Sequence, residues 1–425
     1  MKRLWMLVWI MLLSSGFTQT ITPPPMLPQT EESAAAWRED LQYLVDQVDQ
    51  RHPDPYRYTS QAEFETIAAA VDQHIPEMTD PQIIVEFMRY TAALTDGHTS
   101  FFPVFQTAYP FYAYPLLFYL FSDGVYLVDA APEQADAIGG RLLGIGTHDA
   151  EEVLSRIGAL IQHDNESGRR VLIPVNMVTV EVLLGTGLID DPAQPNFMLE
   201  LPDHSTVTLN PPAETVAQFL DRYPGHYHLL ADHDLPSLAH LDERLWWMPV
   251  GEDDHTLYVQ YNEVQTLGNA LPDLQNAFES GDYSQMILDL RYNGGGDIGT
   301  AQRFIQWFRN QDRLQQHGSL IVLIGRNTFS AAVVFSLWLE QDLQPVFIGE
   351  PSGGRPLMFE NARPITLPNS GLQVYISSRA RRDVESSDTR PAIEPDVVVE
   401  LSSADYFAHR DPALEAALAY PPPVS

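Results

Sequence analysis

Two stretches of the chain hold the groups best able to do chemistry. Met286 to Gly299, MILDLRYNGGGDIG, reads as a buried strand over Met286–Leu290 that opens into three consecutive glycines, with a helix from about Thr300. Ile321 to Ala332, IVLIGRNTFSAA, continues a strand over Leu320–Ile324 into a polar turn and a helix that begins at or near Ser330. Two successive strand-to-helix turns bring backbone N–H groups and a serine hydroxyl to one edge of a sheet, where α/β proteins bind ligands. A serine at such a helix start, beside glycine N–H groups, can serve as a nucleophile with an oxyanion hole. It can equally be an N-cap that satisfies the first helical N–H groups. The glycines at 294, 296 and 299 also fit GxGxxG. A dinucleotide site expects an acid about 20 residues on, at the end of the next strand, and that strand ends Ile324-Gly325-Arg326.

The elements that must position these groups are readable around them. From Leu257 the pattern alternates: strand Leu257–Tyr261, helix Leu271–Glu279, strand Met286–Leu290, helix Gln302–Phe308, strand Leu320–Ile324, helix Ala331–Leu339 and strand Val346–Ile348. This predicts an α/β layer within a chain that is α+β overall. Ile365–Leu367 and Leu372–Ser377 flank Pro368-Asn369-Ser370-Gly371, a turn signal for a hairpin. Upstream, residues 31–102 read as a helical domain. Trp37, Leu41, Leu44, Val45 and Val48 fall at helical spacing, a second helix fits Gln61–His74, and a third starts at Asp80-Pro81 with proline in the first turn. Residues 103–250 read as a strand-rich middle region, with Gly139–Ile145 and a helix at Ala150–Leu160 faintly like part of a PDZ domain. Residues 251–425 form the expected α/β domain.

Bulk properties exclude several classes. A net charge of −33 over 425 residues argues against nucleic acid and anionic membrane as partners. There is no cysteine, hence no disulfide, thiolate nucleophile or Cys-ligated zinc. His226, His228, His233 and Asp234 cluster in one loop, but their spacing matches no zinc signature, and no cofactor is expected. Lys2, Arg3, the apolar run Leu4–Leu13 and the small residues Ser14-Ser15-Gly16 read as a signal peptide over residues 1–20, followed by a proline-rich linker over 21–30. The expectation is an exported protein with no membrane contact beyond its leader.

Asp289-Leu290-Arg291-Tyr292-Asn293-Gly294-Gly295-Gly296, Thr328-Phe329-Ser330-Ala331, Ile348-Gly349-Glu350 and Leu367-Pro368-Asn369-Ser370-Gly371 follow one another in an order that resembles the S41 serine peptidases. That family holds the tail-specific, C-terminal-processing proteases and the tricorn core protease. The resemblance runs to Ile393-Glu394-Pro395-Asp396 and takes in Asp96-Gly97-His98-Thr99 upstream. It implies an acyl-enzyme on Ser330 and a protein or peptide substrate. The processing proteases use a lysine base, but the only lysine here is Lys2, and Arg355 stands where the family's lysine is expected. A guanidinium, with a pKa above about 12, cannot accept the serine proton.

The resemblance to the tricorn branch supplies a histidine instead, and His98 occupies that context. An imidazole has an ordinary pKa of about 6.5 and can take a proton near neutrality. The branch has a serine just before its histidine, whereas Gly97 stands here. By resemblance, an acid that orients the imidazole should precede Ile393. Asp388 is the first choice and Glu385 the next. The oxyanion hole would draw on the N–H groups of Gly295 or Gly296 and of Ala331, and Arg355 would hold a substrate carboxylate or a structural acid. The alternative is a carrier that keeps the fold without catalysis.

Overall fold

A computed structural model describes residues 27–103, 106, 108–223, 229, 235–251, 254–381 and 388–421. The leader, His226, His228, His233, Asp234 and Glu385 lie outside the described residues. Among the described residues no helix is long and apolar enough to cross a membrane.

The chain has an α/β fold built on a six-stranded sheet. Its strand order is Val397–Val398, Val346–Gly349, Leu320–Ile324, Gln285–Asp289, Thr256–Tyr261 and Leu245–Val250. All neighbours run parallel except the last pair. The central strands are near-continuous apolar runs because both faces are covered. On one face Leu257, Val259, Met286, Leu288, Leu320 and Val322 pack under the helices Ala270–Ser280, Gln302–Arg309 and Ala331–Leu343. The alternate residues Tyr258, Ile287, Ile321 and Leu323 meet the helix Pro412–Leu418 on the other. The period of two follows from the strand pleat. The expected strands and helices of this layer are present, with ends that shift by a residue or two except for the helix from Ala331, which runs four residues further, to Leu343. The helix expected from about Thr300 opens with a 3-10 turn over Ile298–Ala301.

A separate apolar core joins the N-terminal helices Glu31–Arg51, Gln61–His74 and Asp80–Ala92 to the middle region. There an antiparallel sheet runs Leu116–Phe121, Gly124–Ala130, Arg141–Ile145, Phe197–Glu200 and Thr206–Leu209. The helices Ala150–Gly158, Glu166–Asn176 and Val180–Gly185 lie between its third and fourth strands in the chain. Ile365, Leu367, Leu372, Val374 and Ile376 of the late hairpin, Arg363–Thr366 paired with Gln373–Ile376, belong to this upstream core. Its turn explains the Pro-Asn-Ser-Gly signal: the N–H groups of Asn369 and Ser370 each donate to the buried Asp40 carboxylate of the first helix at 2.8 Å.

One link between the two bodies runs through Arg326, itself half of a buried ion pair. Arg326, in the turn before Ser330, donates to both oxygens of Glu350 at 2.7 Å and to the carbonyl of Leu120 on the middle sheet at 2.5 Å. Removing one partner of such a pair strands the other charge in a dry site, which costs about 3–5 kcal/mol. Arg326→Met should therefore lower the unfolding free energy by roughly that amount, read from urea denaturation, whereas Arg363→Met on the exposed hairpin strand should change it by less than about 0.5 kcal/mol.

Candidate active site

The two strand-to-helix turns are stitched to each other before they hold anything else. Thr328 Oγ1 donates to the Leu290 carbonyl at 2.8 Å and accepts the Gly325 N–H at 3.0 Å. The Phe329 N–H donates to the Asn293 carbonyl at 3.0 Å, and Asn293 Nδ2 reaches the Tyr261 carbonyl at 2.7 Å. Below them Arg291 links Asp289 to Asp411, with 2.7 and 2.8 Å bonds to the latter. The Asp-Leu-Arg and Asn residues of the motif are thus the fastening of the sheet edge.

Ser330 sits at that edge with φ 53° and ψ −122°. This backbone is uncommon for a residue with a side chain and costs of order 1–3 kcal/mol. Its side chain makes no capping hydrogen bond to the helix that follows, so the N-cap reading does not describe it. A strained turn that lifts a serine hydroxyl off a helix start is the geometry of a nucleophile elbow. Gly295 makes room for it: a Cβ there would stand 2.6 Å from Ser330 Cβ and 2.8 Å from the Ala331 nitrogen.

His98 comes from the other body, 232 residues away, and its Nε2 lies 2.9 Å from Ser330 Oγ. Phe329 stacks on its ring, with centroids 4.5 Å apart. The same ring explains Gly97, because a Cβ on that residue would meet two Phe329 ring carbons at 2.9 Å.

The loop bearing His98 is held by neighbours in its own motif and by groups far away in the chain. Asp96 is fully buried. One carboxylate oxygen accepts the His98 N–H at 3.0 Å. The other accepts the Thr99 N–H at 3.1 Å, the Thr99 hydroxyl at 2.6 Å and His52 Nε2 at 3.2 Å. His52 Nδ1 accepts the Asp54 N–H at 3.2 Å, so its proton sits on Nε2 and points at Asp96. Ser100 and Tyr375 exchange backbone hydrogen bonds at 2.9 Å, which lays the loop along the late hairpin. Asp164 braces the other side, accepting the Gly97 N–H at 2.9 Å and the Arg355 N–H at 3.2 Å. Asp96 and Thr99 lie in the same quoted motif as His98, but His52 and Asp164 are far away in the chain and carried no local signal.

The remaining expected residues are distributed unevenly. Ala331 follows Ser330 directly and opens the helix. The Gly295 N–H is taken up by Asn293 Oδ1 at 2.9 Å, and Gly296 faces the Val264 carbonyl, where a Cβ would come within 2.2 Å. Asp388 is not brought to His98. Its carboxylate is committed to Arg390 at 3.0 and 2.9 Å, and Arg390 in turn grips Glu340. His98 Nδ1 is buried and has no hydrogen-bond partner among the described residues. Arg355 is largely buried, lies over the Tyr58 ring and approaches Asp164 to 3.9 Å.

Burial by itself would raise the Asp96 carboxyl, but the His52 hydrogen bond, the proximity of His98 and the Thr99 donors outweigh it and bring it down to about 2. An acid lower in the folded chain than in the unfolded one stabilises above its ordinary pKa, and that stability is lost as pH falls through the folded value. Asp96 should therefore contribute on the order of 2 kcal/mol at neutral pH, lost between about pH 4 and pH 2. Acid unfolding followed by circular dichroism should be shallower across that window in Asp96→Asn than in the parent.

Neither a family sequence model nor a curated protein sequence matches the chain. Solved structures do. A point mutant of CPAF superposes with a TM-score of 0.66 at 13% identity, covering 91% of this chain and 97% of that one. Mature CPAF complexed with lactacystin superposes with a TM-score of 0.65 at 12% identity, covering 91% and 98%. CPAF is an S41-type peptidase, and the likeness extends over nearly the whole length of both chains: the present chain has the fold of the S41 peptidases.

Proposed function

We propose that the chain is an exported serine-type peptidase that hydrolyses peptide bonds through an acyl-enzyme on Ser330. The observation that carries this reading is the 2.9 Å approach of His98 Nε2 to a serine hydroxyl held in a strained turn. His98 takes the hydroxyl proton as Ser330 Oγ attacks the substrate carbonyl. The tetrahedral oxyanion is met by the Ala331 N–H and, because the Gly295 N–H is committed to Asn293, by that of Gly296. His98 then gives the proton to the leaving amine, and water repeats the sequence to release the acyl group.

The imidazolium formed in the first step needs a compensating charge. The Asp96 carboxylate, ionised near neutrality and electrostatically coupled to His98, offers one through space. A direct acceptor for Nδ1–H is a separate requirement. Asp388 is engaged elsewhere, which leaves Glu385 as the second candidate. Export rests on the leader-like first 20 residues.

A fluorophosphonate probe should label the wild-type chain and fail on Ser330→Ala. Equal labelling of both, or none of the wild type, removes the peptidase reading in favour of a carrier. His98→Ala should lower kcat on denatured casein by roughly three orders of magnitude or more. Asp388→Asn should change kcat by less than about threefold, because its carboxylate serves Arg390, while Glu385→Gln should cost at least about a hundredfold if that residue orients the imidazole.

A further inference from the structure

A cavity of about 330 Å³ lies against Phe329, the residue before Ser330 and the ring that stacks on His98. Gly97 and Gly294 form part of its wall. The first precedes His98 and the second precedes the glycine that touches Ser330. The cavity and the reacting pair therefore share one wall. A peptide whose carbonyl rests at Ser330 Oγ has the side chain next to the scissile bond within reach of this space.

The chemistry of the lining selects what can enter. Phe102, Phe329, Val171 and Leu172 give it an apolar surface. A cavity of about 150 Å³ lined by such side chains stays dry and takes up benzene, so this one has room for a large side chain. The charged groups on the wall are already engaged. Arg326 is paired with both oxygens of Glu350, and Asp164 accepts the N–H groups of Gly97 and Arg355. A charged occupant would lose its hydration and gain no counter-ion. Gln162 on the wall is 4% exposed, and its buried Nε2 has no partner among the described residues. A donor left over in a lined cavity is met by an acceptor on whatever fills it, and a backbone carbonyl of the bound peptide has that chemistry.

Resting on the peptidase reading above, we infer that this cavity is the side-chain pocket beside the scissile bond, and that it takes a large uncharged residue, aromatic or long aliphatic. Phe, Tyr, Leu and Met enter, and Asp, Glu, Lys and Arg are refused.

The test is a digest of denatured casein by the full chain, with cut sites sequenced by mass spectrometry. The large uncharged residues should be enriched at one position flanking the cut by at least tenfold over the charged ones. Val171→Trp, which fills the cavity from its partly exposed wall, should lower that enrichment at least tenfold. Val171→Ala, which guards against misfolding of the bulkier variant, should raise the preference for Trp over Leu at the same position. Cutting without enrichment, or enrichment unmoved by both variants, overturns the pocket alone. Casein left intact by the wild type takes down the peptidase reading, and the pocket with it.

Discussion

A carboxylate buried without water must be given donors, and Asp96 takes them from the segment that bears His98 and from His52. That demand fixes the path of the loop. The N–H groups of His98 and Thr99 can both point at Asp96 only if the chain turns tightly, and the turn throws the His98 ring outward, toward the other body. His52 closes the last bond from the end of the first helix. The late hairpin then pairs with the loop through Ser100 and Tyr375 and is itself held to the first helix through Asp40. An ionised group in a dry place thus organises elements that the chain separates by more than 270 residues.

The serine side is organised by sterics rather than charge. A positive φ at Ser330 persists only where its surroundings over-determine it. Here Thr328 and Asn293 bind the two turns together, and Gly295 gives up its side chain so that Ser330 and Ala331 can come close. The helix Ala331–Leu343, buried on nearly all sides, anchors the far end of the turn. The strain is carried by a sheet whose strands are buried on both faces.

The residues at the sheet edge were legible because their signals are local. Apolar runs of strand length followed by Gly-Gly-Gly or by Asn-Thr-Phe-Ser can be read in a window of a dozen positions, and the fold followed from their alternation. The Pro-Asn-Ser-Gly turn was legible as a hairpin but not as the dock for Asp40, since nothing near residue 369 names a partner in the first helix. Asp164 and His52 were invisible for the same reason: their hydrogen bonds cross 67 and 44 positions of sequence. The expectation for Asp388 shows the converse. Its position suited an orienting acid, but Arg390 lies two residues on, and a neighbouring guanidinium claims a carboxylate before a distant ring can.

The division of the pair between two apolar cores has a temporal consequence. A chain that emerges amino end first makes the helices, Asp96 and His98 long before residue 330 exists, and the hairpin that pins the His98 loop comes later still. Until that final third has folded back onto the beginning, the hydroxyl and the imidazole have no common address.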